Sequence, residues 1–573
     1  MMLQPQVAIT DEYLWQVAQV RLSQRDFPWW SLNSGLTLDT QPFSFARHEY
    51  LQEIYAAIAD PEVRVLVLEK AAQMGLTVAE VLFSFWGMKN GRFPKGVLYL
   101  LPDAGHAEKV SKTKIQPIIS ANPLLQSWIT KTDSILQKQI GAASLILTGM
   151  NSTNDPVGPV RLKSYSVDRV IFDEVEHMDD WGNVALAQKR MDHSEVKWQG
   201  YEITGGSSHF LSVPSVPHWG IDGLFAGIPA EDGRGWEVVP SDQRYWFLKC
   251  PACGTETCLE DEWPDCVIEV SAREERAIRA CRKCQRELDI SQGRWVAKEP
   301  DRTKRGYHIS QLFSHYVNPW KLLDQFRHKR DMSVLFNDSL GIPYIEADAR
   351  IEVHQVLALC GTEPQLAAFE GPSAMGVDQP KEEGQKFYVT IGYKMEGVPC
   401  KLARICYRTT WQEIGDLMSL YNVSRCVVDG LPDQDKARKF AQGFEGRVFM
   451  SYYAEKQKGA AKWNENDWSV SVDRTEIHNS LTRMVHGTKI ALPRQDDDIK
   501  GFAKHLFNMA RKTEKDDDTG SVRQVWKKTG ADHWRHSACY MLMALDGIGE
   551  YVKPKEEKDW MHERRRVNSW RTM

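Results

Sequence analysis

From Val63 onward the sequence alternates short apolar or β-branched runs with helix-like stretches. The runs fall at 65–68, 97–101, 145–148, 170–172 and 210–213. Near-continuous apolar strands separated by helices are buried on both faces, so this pattern calls for a mostly parallel sheet covered by helices. Such a sheet presents ligand at the carboxyl ends of its strands. The 573 residues suggest three or four folded units, and 42% hydrophobic with 26% charged residues excludes bulk disorder. Eleven cysteines are too few for a disulfide scaffold. We read no export signal in MMLQPQVAITDEYLW and no membrane span, because the most apolar stretch, 63–88, is interrupted by Glu69, Lys70 and Glu80. A net charge of −5 leaves nucleic acid open as a partner, since binding depends on where positive charge is concentrated.

The chain reads as a helical segment over 1–60, a first α/β domain over 61–345 and a Cys-rich insertion over 245–295. Residues 346–370 have weak patterning and read as a linker. Three successive strands follow at 374–378, 387–393 and 400–407, then a helix (411–421), a strand (426–429), a helix (434–440) and a strand (447–451). This order predicts a second domain, with a mixed sheet, over 371–548. Residues 549–573 form a basic tail.

The run at 65–68 leads into Glu69-Lys70-Ala71-Ala72-Gln73-Met74-Gly75-Leu76-Thr77 and then a helical stretch. A strand, a small-residue turn and a helix N-terminus direct N–H groups and a positive dipole at phosphates. The usual G-x-x-x-x-G-K-[ST] is absent, because Leu76 stands in the lysine slot. Lys70 is then the cation available to the β/γ-phosphates, and Thr77 the hydroxyl for Mg²⁺. An exposed lysine at a strand end is the plainer alternative. Val170-Ile171-Phe172 ends in Asp173-Glu174. Asp173 would hold Mg²⁺ and Glu174 would orient and deprotonate the attacking water, although an isolated Asp-Glu is more often a helix cap. Ser212-Val213-Pro214-Ser215 follows another apolar run, as a γ-phosphate sensor or a plain turn.

Cys250-Pro251-Ala252-Cys253 and Cys281-Arg282-Lys283-Cys284 form two Cys-x-x-Cys turns, which together supply the four thiolates of a closed, structural Zn²⁺ site. Cys258 and Cys266 lack that spacing and read as core thiols. Lys249, Arg273, Arg276, Arg279, Arg282, Lys283 and Arg286 around them could meet nucleic-acid phosphates or form a solvated face. In the second domain, Asp378 and Asp429 end strands and Asp532 opens a helix. Carboxylates converging in this way can hold two Mg²⁺ or Mn²⁺ ions about 4 Å apart for phosphodiester cleavage. Each aspartate alone has a structural alternative, Asp532 as an N-cap above all. Asp433 and His533 stand nearby, and 496–498 reads as a solvated helix start.

In this order the motifs resemble the large terminase subunit of tailed bacteriophages, in its lambda-like GpA family, over roughly residues 40–545. Leu147-Thr148-Gly149-Met150-Asn151-Ser152, 159–161 and Gly306-Tyr307-His308-Ile309-Ser310 extend the resemblance. It implies an N-terminal P-loop ATPase sheet of the ASCE type with a four-cysteine zinc insertion, followed by an RNase H-like mixed α/β nuclease domain. It assigns Lys70, Gln73, Gly75, Thr77, Asp173, Ser212 and Ser215 to the nucleotide and its Mg²⁺, and Glu174 to catalysis. Asp378, Asp429 and Asp532 become nuclease metal ligands. Relatives often carry an arginine where this chain has Gln73, which leaves the source of transition-state charge open, with an arginine from a neighbouring subunit one candidate. The implied activity is ATP-driven packaging of double-stranded DNA with endonucleolytic cutting. The implied partners are a small terminase subunit, contacted through 1–60, which also forms part of the nucleotide pocket, and the portal protein of the procapsid. The implied setting is a homo-oligomeric ring in the host cytoplasm, absent from the mature virion. A DNA-repair helicase-nuclease and a non-enzymatic DNA-binding scaffold are the rival readings.

Overall fold

The structure, a computed structural model, describes residues 11–150, 162–178, 181–229, 236–346, 349–380, 384–454, 457, 459–515 and 522–552. Asn151, Ser152, the stretch 159–161 and most of the basic tail lie outside these residues. The chain divides into two compact units, Met1–Glu346 and Ala347–Met573, rather than the three or four its length suggests. The difference arises at the Cys-rich segment, which builds no core of its own. Cys250, Cys266, Cys281, Leu288 and Trp295 join the main apolar core of the first unit, and the segment adds strands to its sheet.

In the first unit the expected apolar runs form strands β1 (Val65–Lys70), β2 (Val97–Leu101), β3 (Ala143–Gly149), β4 (Arg169–Asp173) and β5 (Ser207–Ser212). Strands β6 (Arg244–Lys249) and β7 (Arg305–Ile309) complete the central part. Across the 11-stranded sheet the order is β6-β7-β1-β5-β4-β2-β3, parallel throughout. Antiparallel strands extend both edges: Glu256–Cys258 and Gly293–Ala297 on β6, and Gln137–Ile140 then Ile129–Asp133 beyond β3. Strand β5 separates β1 from β4, so Lys70, Ser212 and Asp173 end three neighbouring strands on one edge. Side chains alternate between faces along each strand. Leu66 and Leu68 of β1 and Leu211 of β5 therefore pack on one side of the sheet, with Val67, Phe172 and Phe210 on the other.

Helix α1 (Leu76–Lys89) is buried along most of its length and ties into the sheet through Glu80. The Glu80 carboxylate pairs with Arg169 of β4, and its Oε1 lies 2.9 Å from His209 Nδ1 of β5. Burial alone would raise Glu80, but the charges of Arg169 and His209 outweigh it and hold the carboxyl below its ordinary range. Removing one member of such a buried group leaves an uncompensated charge, so the trio locks α1 against the two strands.

The second unit holds a nine-stranded sheet. Its three opening strands, β8 (Ser373–Asp378), β9 (Phe387–Met395) and β10 (Val398–Arg408), form an antiparallel meander. Strands β11 (Val423–Asp429), β12 (Val448–Tyr453) and β13 (Ser469–Val472) run parallel to β8 on its other side. Helix α2 (His533–Asp546) lies directly on β8. A Cβ on Gly376 would stand 1.9 Å from Ser537 O, so glycine is what lets the helix approach this closely. The segment read as a linker is instead part of this unit. Ile351 and Val356 are buried in one core layer, Phe369 in another, and Cys360 bridges to Leu492. Among the described residues no helix is long and apolar enough to cross a membrane.

Candidate functional site

The turn after β1 is held at several points. Ala71 N–H donates to Ile309 O (2.7 Å) and Ala72 N–H to Asp338 O (2.7 Å). Gln311 donates to Ala72 O (3.1 Å), and the Tyr50 hydroxyl donates to Met74 O (3.2 Å). Gln73 (φ 59°) and Gly75 (φ 84°) take the left-handed conformation, and Gly75 caps α1. The two alanine donors are thus engaged, so a phosphate would meet N–H groups from Gln73 to the first turn of α1. Gln73 has a backbone role here that an arginine could also fill.

Thr77 and Asp173 come together as the sequence predicts. Thr77 Oγ1 donates to Asp173 Oδ2 (3.2 Å), and Tyr99 donates to the same oxygen (2.6 Å). Burial raises the Asp173 carboxyl, while the charge of Lys70 opposes the shift. Glu174 sits just beyond β4 with φ 60° and ψ 46°. Its N–H donates to Asp173 Oδ1 (3.0 Å) and Leu211 O (3.0 Å). A non-glycine residue in this conformation is uncommon and marks a constrained position. Burial raises the Glu174 carboxyl, as does Asp173, against the charges of His106, Lys70 and Lys109. Sequence reading missed Tyr99, whose one signal is a phenol inside the aliphatic strand VLYLL. It also missed His106, held 2.9 Å from the Asp103 carboxylate.

Ser212 and Ser215, expected at the nucleotide, both engage Glu176. Ser212 pairs in register with Glu69, on the sheet face opposite Leu68, Leu211 and Asp173. Its Oγ accepts from Glu176 N–H (3.4 Å) and donates to Val213 O (3.2 Å). The Ser215 hydroxyl donates to the Glu176 carboxylate. Ser212 follows Leu211 by one residue in the strand, so its side chain points to the face opposite Asp173.

The four cysteines of the two turns converge. Cys250 Sγ lies 3.6 Å from Cys284 Sγ, Cys253 Sγ lies 3.6 Å from Cys281 Sγ, and all four sulfurs lie within 4.8 Å of one another. The turns repeat one backbone pattern. Cys250 N–H donates to Thr255 O and Gly254 N–H to Cys250 O, while Cys281 N–H donates to Arg286 O and Gln285 N–H to Cys281 O. Bonds with Thr255 lower the Cys253 thiol to about 6. Tetrahedral zinc with bonds of about 2.3 Å sets its sulfurs about 3.8 Å apart, so the cluster fits that ion. Cys258 and Cys266 are buried outside it. Arg279 is not a phosphate contact: its guanidinium donates to the carbonyls of Leu312, Ser314 and Val317.

In the second unit the carboxylate oxygens of Asp378, Asp429 and Asp532 do not all lie within 4.8 Å of one another. Among the described residues, the four cysteines are the only group of three or more whose ligand atoms all lie within 4.8 Å. Asp378 and Asp429 end neighbouring strands, and Asp429 is raised to about 6 by burial and then by Asp378. Asp532 instead pairs with Lys528 Nζ (2.9 Å) and His536 Nε2 (3.2 Å). Burial opposes its charge, but His536 and Lys528 outweigh burial and hold the carboxyl well below the usual range. Asp532 occupies the N-cap of α2, yet its side chain caps nothing. His533 takes the place facing Asp378, with Nδ1 2.8 Å from Oδ2. Asp433 and Asp496 cap their own helices through Lys436 N–H and Ile499 N–H.

The HK97 bacteriophage large terminase is similar at 13% identity, over 91% of this chain and 99% of that one, with a TM-score of 0.48. The large terminase of a thermophilic bacteriophage is similar at 11% identity, over 87% and 98%, with a TM-score of 0.31. No curated protein matches the chain in sequence. Residues 39–299 match the family model of the phage terminase large subunit gpA, ATPase domain. The matched segment contains the turn after β1, the Asp173-Glu174 pair and all four clustered cysteines. The segment 39–299 is thus similar to the ATPase domain of the phage terminase large subunits.

Proposed function

We propose that this chain is the ATP-driven motor of phage DNA packaging and also cuts the DNA it packages. The observation that carries the motor reading is Lys70, Thr77, Asp173 and Glu174 at one sheet edge, inside the segment matching the gpA ATPase domain. Thr77 and Asp173 offer a hydroxyl and a carboxylate oxygen to a hard divalent ion, the donor set Mg²⁺ requires. The ion would neutralise charge on the β- and γ-phosphates of bound ATP. Lys70 would bind those phosphates, and Glu174 would take the proton of the attacking water, a task its raised carboxyl suits. The rival helicase-nuclease reading calls for a second motor lobe. The described second unit instead opens with an antiparallel meander. The reading is tested by ATP turnover with and without linear duplex DNA: DNA should raise it, and no turnover in either case would refute it.

Lys70→Ala is expected to weaken nucleotide binding by about tenfold or more, because a charge-assisted contact to phosphate is lost. Titration with a fluorescent ATP analogue checks this, and unchanged affinity would remove Lys70 from the site.

The cysteine cluster would be a closed zinc site, supporting the edge of the motor sheet rather than its chemistry. Purified, reduced protein is expected to contain one Zn²⁺ per chain by elemental analysis. Cys281→Ser should lose the ion and lower the melting temperature.

The second unit would be an RNase H-like nuclease, a reading supported by the strand order β10-β9-β8-β11-β12 and by the adjacent Asp378 and Asp429. Asp378 and Asp429 would hold Mg²⁺ or Mn²⁺, with Asp532 joining them only on leaving Lys528 and His536. Because Asp429 is raised to about 6, its folded form keeps a proton that the unfolded chain has released. Stability from this group therefore falls as pH rises from about 4 to 6, and a bound cation should relieve the penalty. Mn²⁺ is expected to raise the melting temperature more at pH 7.5 than at pH 5.5. An equal rise at both would contradict the assignment.

Double-stranded DNA, a small terminase subunit and a portal protein are the partners this function requires. A homo-oligomeric ring at the procapsid, in the host cytoplasm, is the assembly we propose.

A further inference from the structure

Both hydroxyls of the 212–215 turn meet the same residue, Glu176, which stands two places beyond Glu174 in the short turn Val175–His177. Glu176 is 2% exposed. Its carboxylate accepts from the Ser215 hydroxyl and from Ile221 N–H (2.8 Å), and its own N–H reaches Ser212 Oγ (3.4 Å). Gly220 is shaped around it: φ is +56°, and a Cβ there would stand 1.9 Å from Glu176 Oε1. The same turn is anchored to Glu174 by His177 N–H donating to Glu174 O (3.0 Å). On the far side, Ser215 O accepts from Tyr344 N–H (3.2 Å), two residues before the first unit ends at Glu346.

We propose that Glu176 is a positioning residue that makes the catalytic turn and the 212–215 turn move as one body. Serine hydroxyls already held by Glu176 report the position of the Glu174 turn, not the γ-phosphate directly. A shift of Glu174 as the phosphate leaves would pull Glu176, then Ser215, then the chain at Tyr344. Buried, fully hydrogen-bonded contacts of this kind have few alternative geometries, which suits them to transmit a displacement. The inference rests on the ATPase reading of the site.

The test uses the full chain with ATP and linear duplex DNA, measuring kcat, affinity for a fluorescent ATP analogue and thermal melting. Glu176→Ala is expected to lower kcat about tenfold or more while nucleotide affinity stays within about twofold. Glu176→Gln keeps an oxygen for Ile221 N–H and a partner for Ser215, so it should recover at least about half of the wild-type kcat. Adding Ser215→Ala to Glu176→Ala should cost nothing further, since both changes break one connection. A Glu176→Ala chain with wild-type kcat overturns the inference. So does a loss of affinity that matches the loss of kcat, or a glutamine variant no better than alanine. If Glu176→Ala does not fold, Ser215→Ala decides: kcat should fall about threefold or more at constant affinity, and an unchanged kcat overturns the inference. A wild-type chain with no ATP turnover would instead overturn the ATPase reading.

Discussion

Glu174→Gln is expected to reduce ATP turnover by about 10²- to 10⁴-fold, the range for loss of a positioned general base, while nucleotide affinity is retained. Glutamine keeps the size of the side chain and the left-handed backbone at this position, and removes only the group that accepts the proton. The wild-type pH profile should carry the same signature. Burial and the neighbouring Asp173 raise the Glu174 carboxyl, so kcat should fall on the acid side at a pH above the ordinary glutamate range. Steady-state kinetics from pH 5 to 8 would measure it. Turnover in Glu174→Gln above a tenth of wild type would exclude Glu174 as the base.

The second large effect belongs to the other unit. Asp378→Ala removes a buried carboxylate that faces both Asp429 and His533. Cleavage of plasmid DNA with Mn²⁺ should fall by several orders of magnitude, because a cation between the strand ends of β8 and β11 would lose a ligand. His533 should change as well. Burial works against its charge, but the hydrogen bond and charge of Asp378 outweigh burial and raise it. Without Asp378, His533 should titrate lower, which NMR of the imidazole would detect. Melting curves must accompany the assay, since Asp378 is also part of the packed edge under α2.

Much of this layout is legible in the residue order. The apolar runs at 65–68, 97–101 and 170–172 could bury both faces only in a parallel sheet, and each became a strand. Two Cys-x-x-Cys turns carry their own geometry, and their sulfurs meet. The match to the gpA ATPase domain covers residues 39–299, which hold the motor motifs but only part of the 40–545 spanned by the resemblance. What the sequence did not disclose depends on partners distant along the chain. Tyr99 reaches Asp173 because β2 lies beside β4, which no local spacing announces. Ser212 turns from the expected phosphate because a strand reverses its facing at every residue. Asp532 reads as a ligand or a cap from spacing alone, and its carboxylate instead pairs with Lys528 and His536, both met only in the fold. The 346–370 segment looked like a linker because Ile351, Val356 and Phe369 follow no helical or strand period. They are nonetheless buried, Ile351 and Val356 in one core layer and Phe369 in another.

We propose that one chain carries two separable engines. The measurement that addresses it most directly is ATP turnover and Mn²⁺-dependent plasmid cleavage in parallel, for wild type, Glu174→Gln and Asp378→Ala, in proteins that melt alike. Wild type is expected to do both, Glu174→Gln to cleave without hydrolysing ATP, and Asp378→Ala to hydrolyse ATP without cleaving. Survival of cleavage in Asp378→Ala, or loss of both activities in either variant, would contradict it.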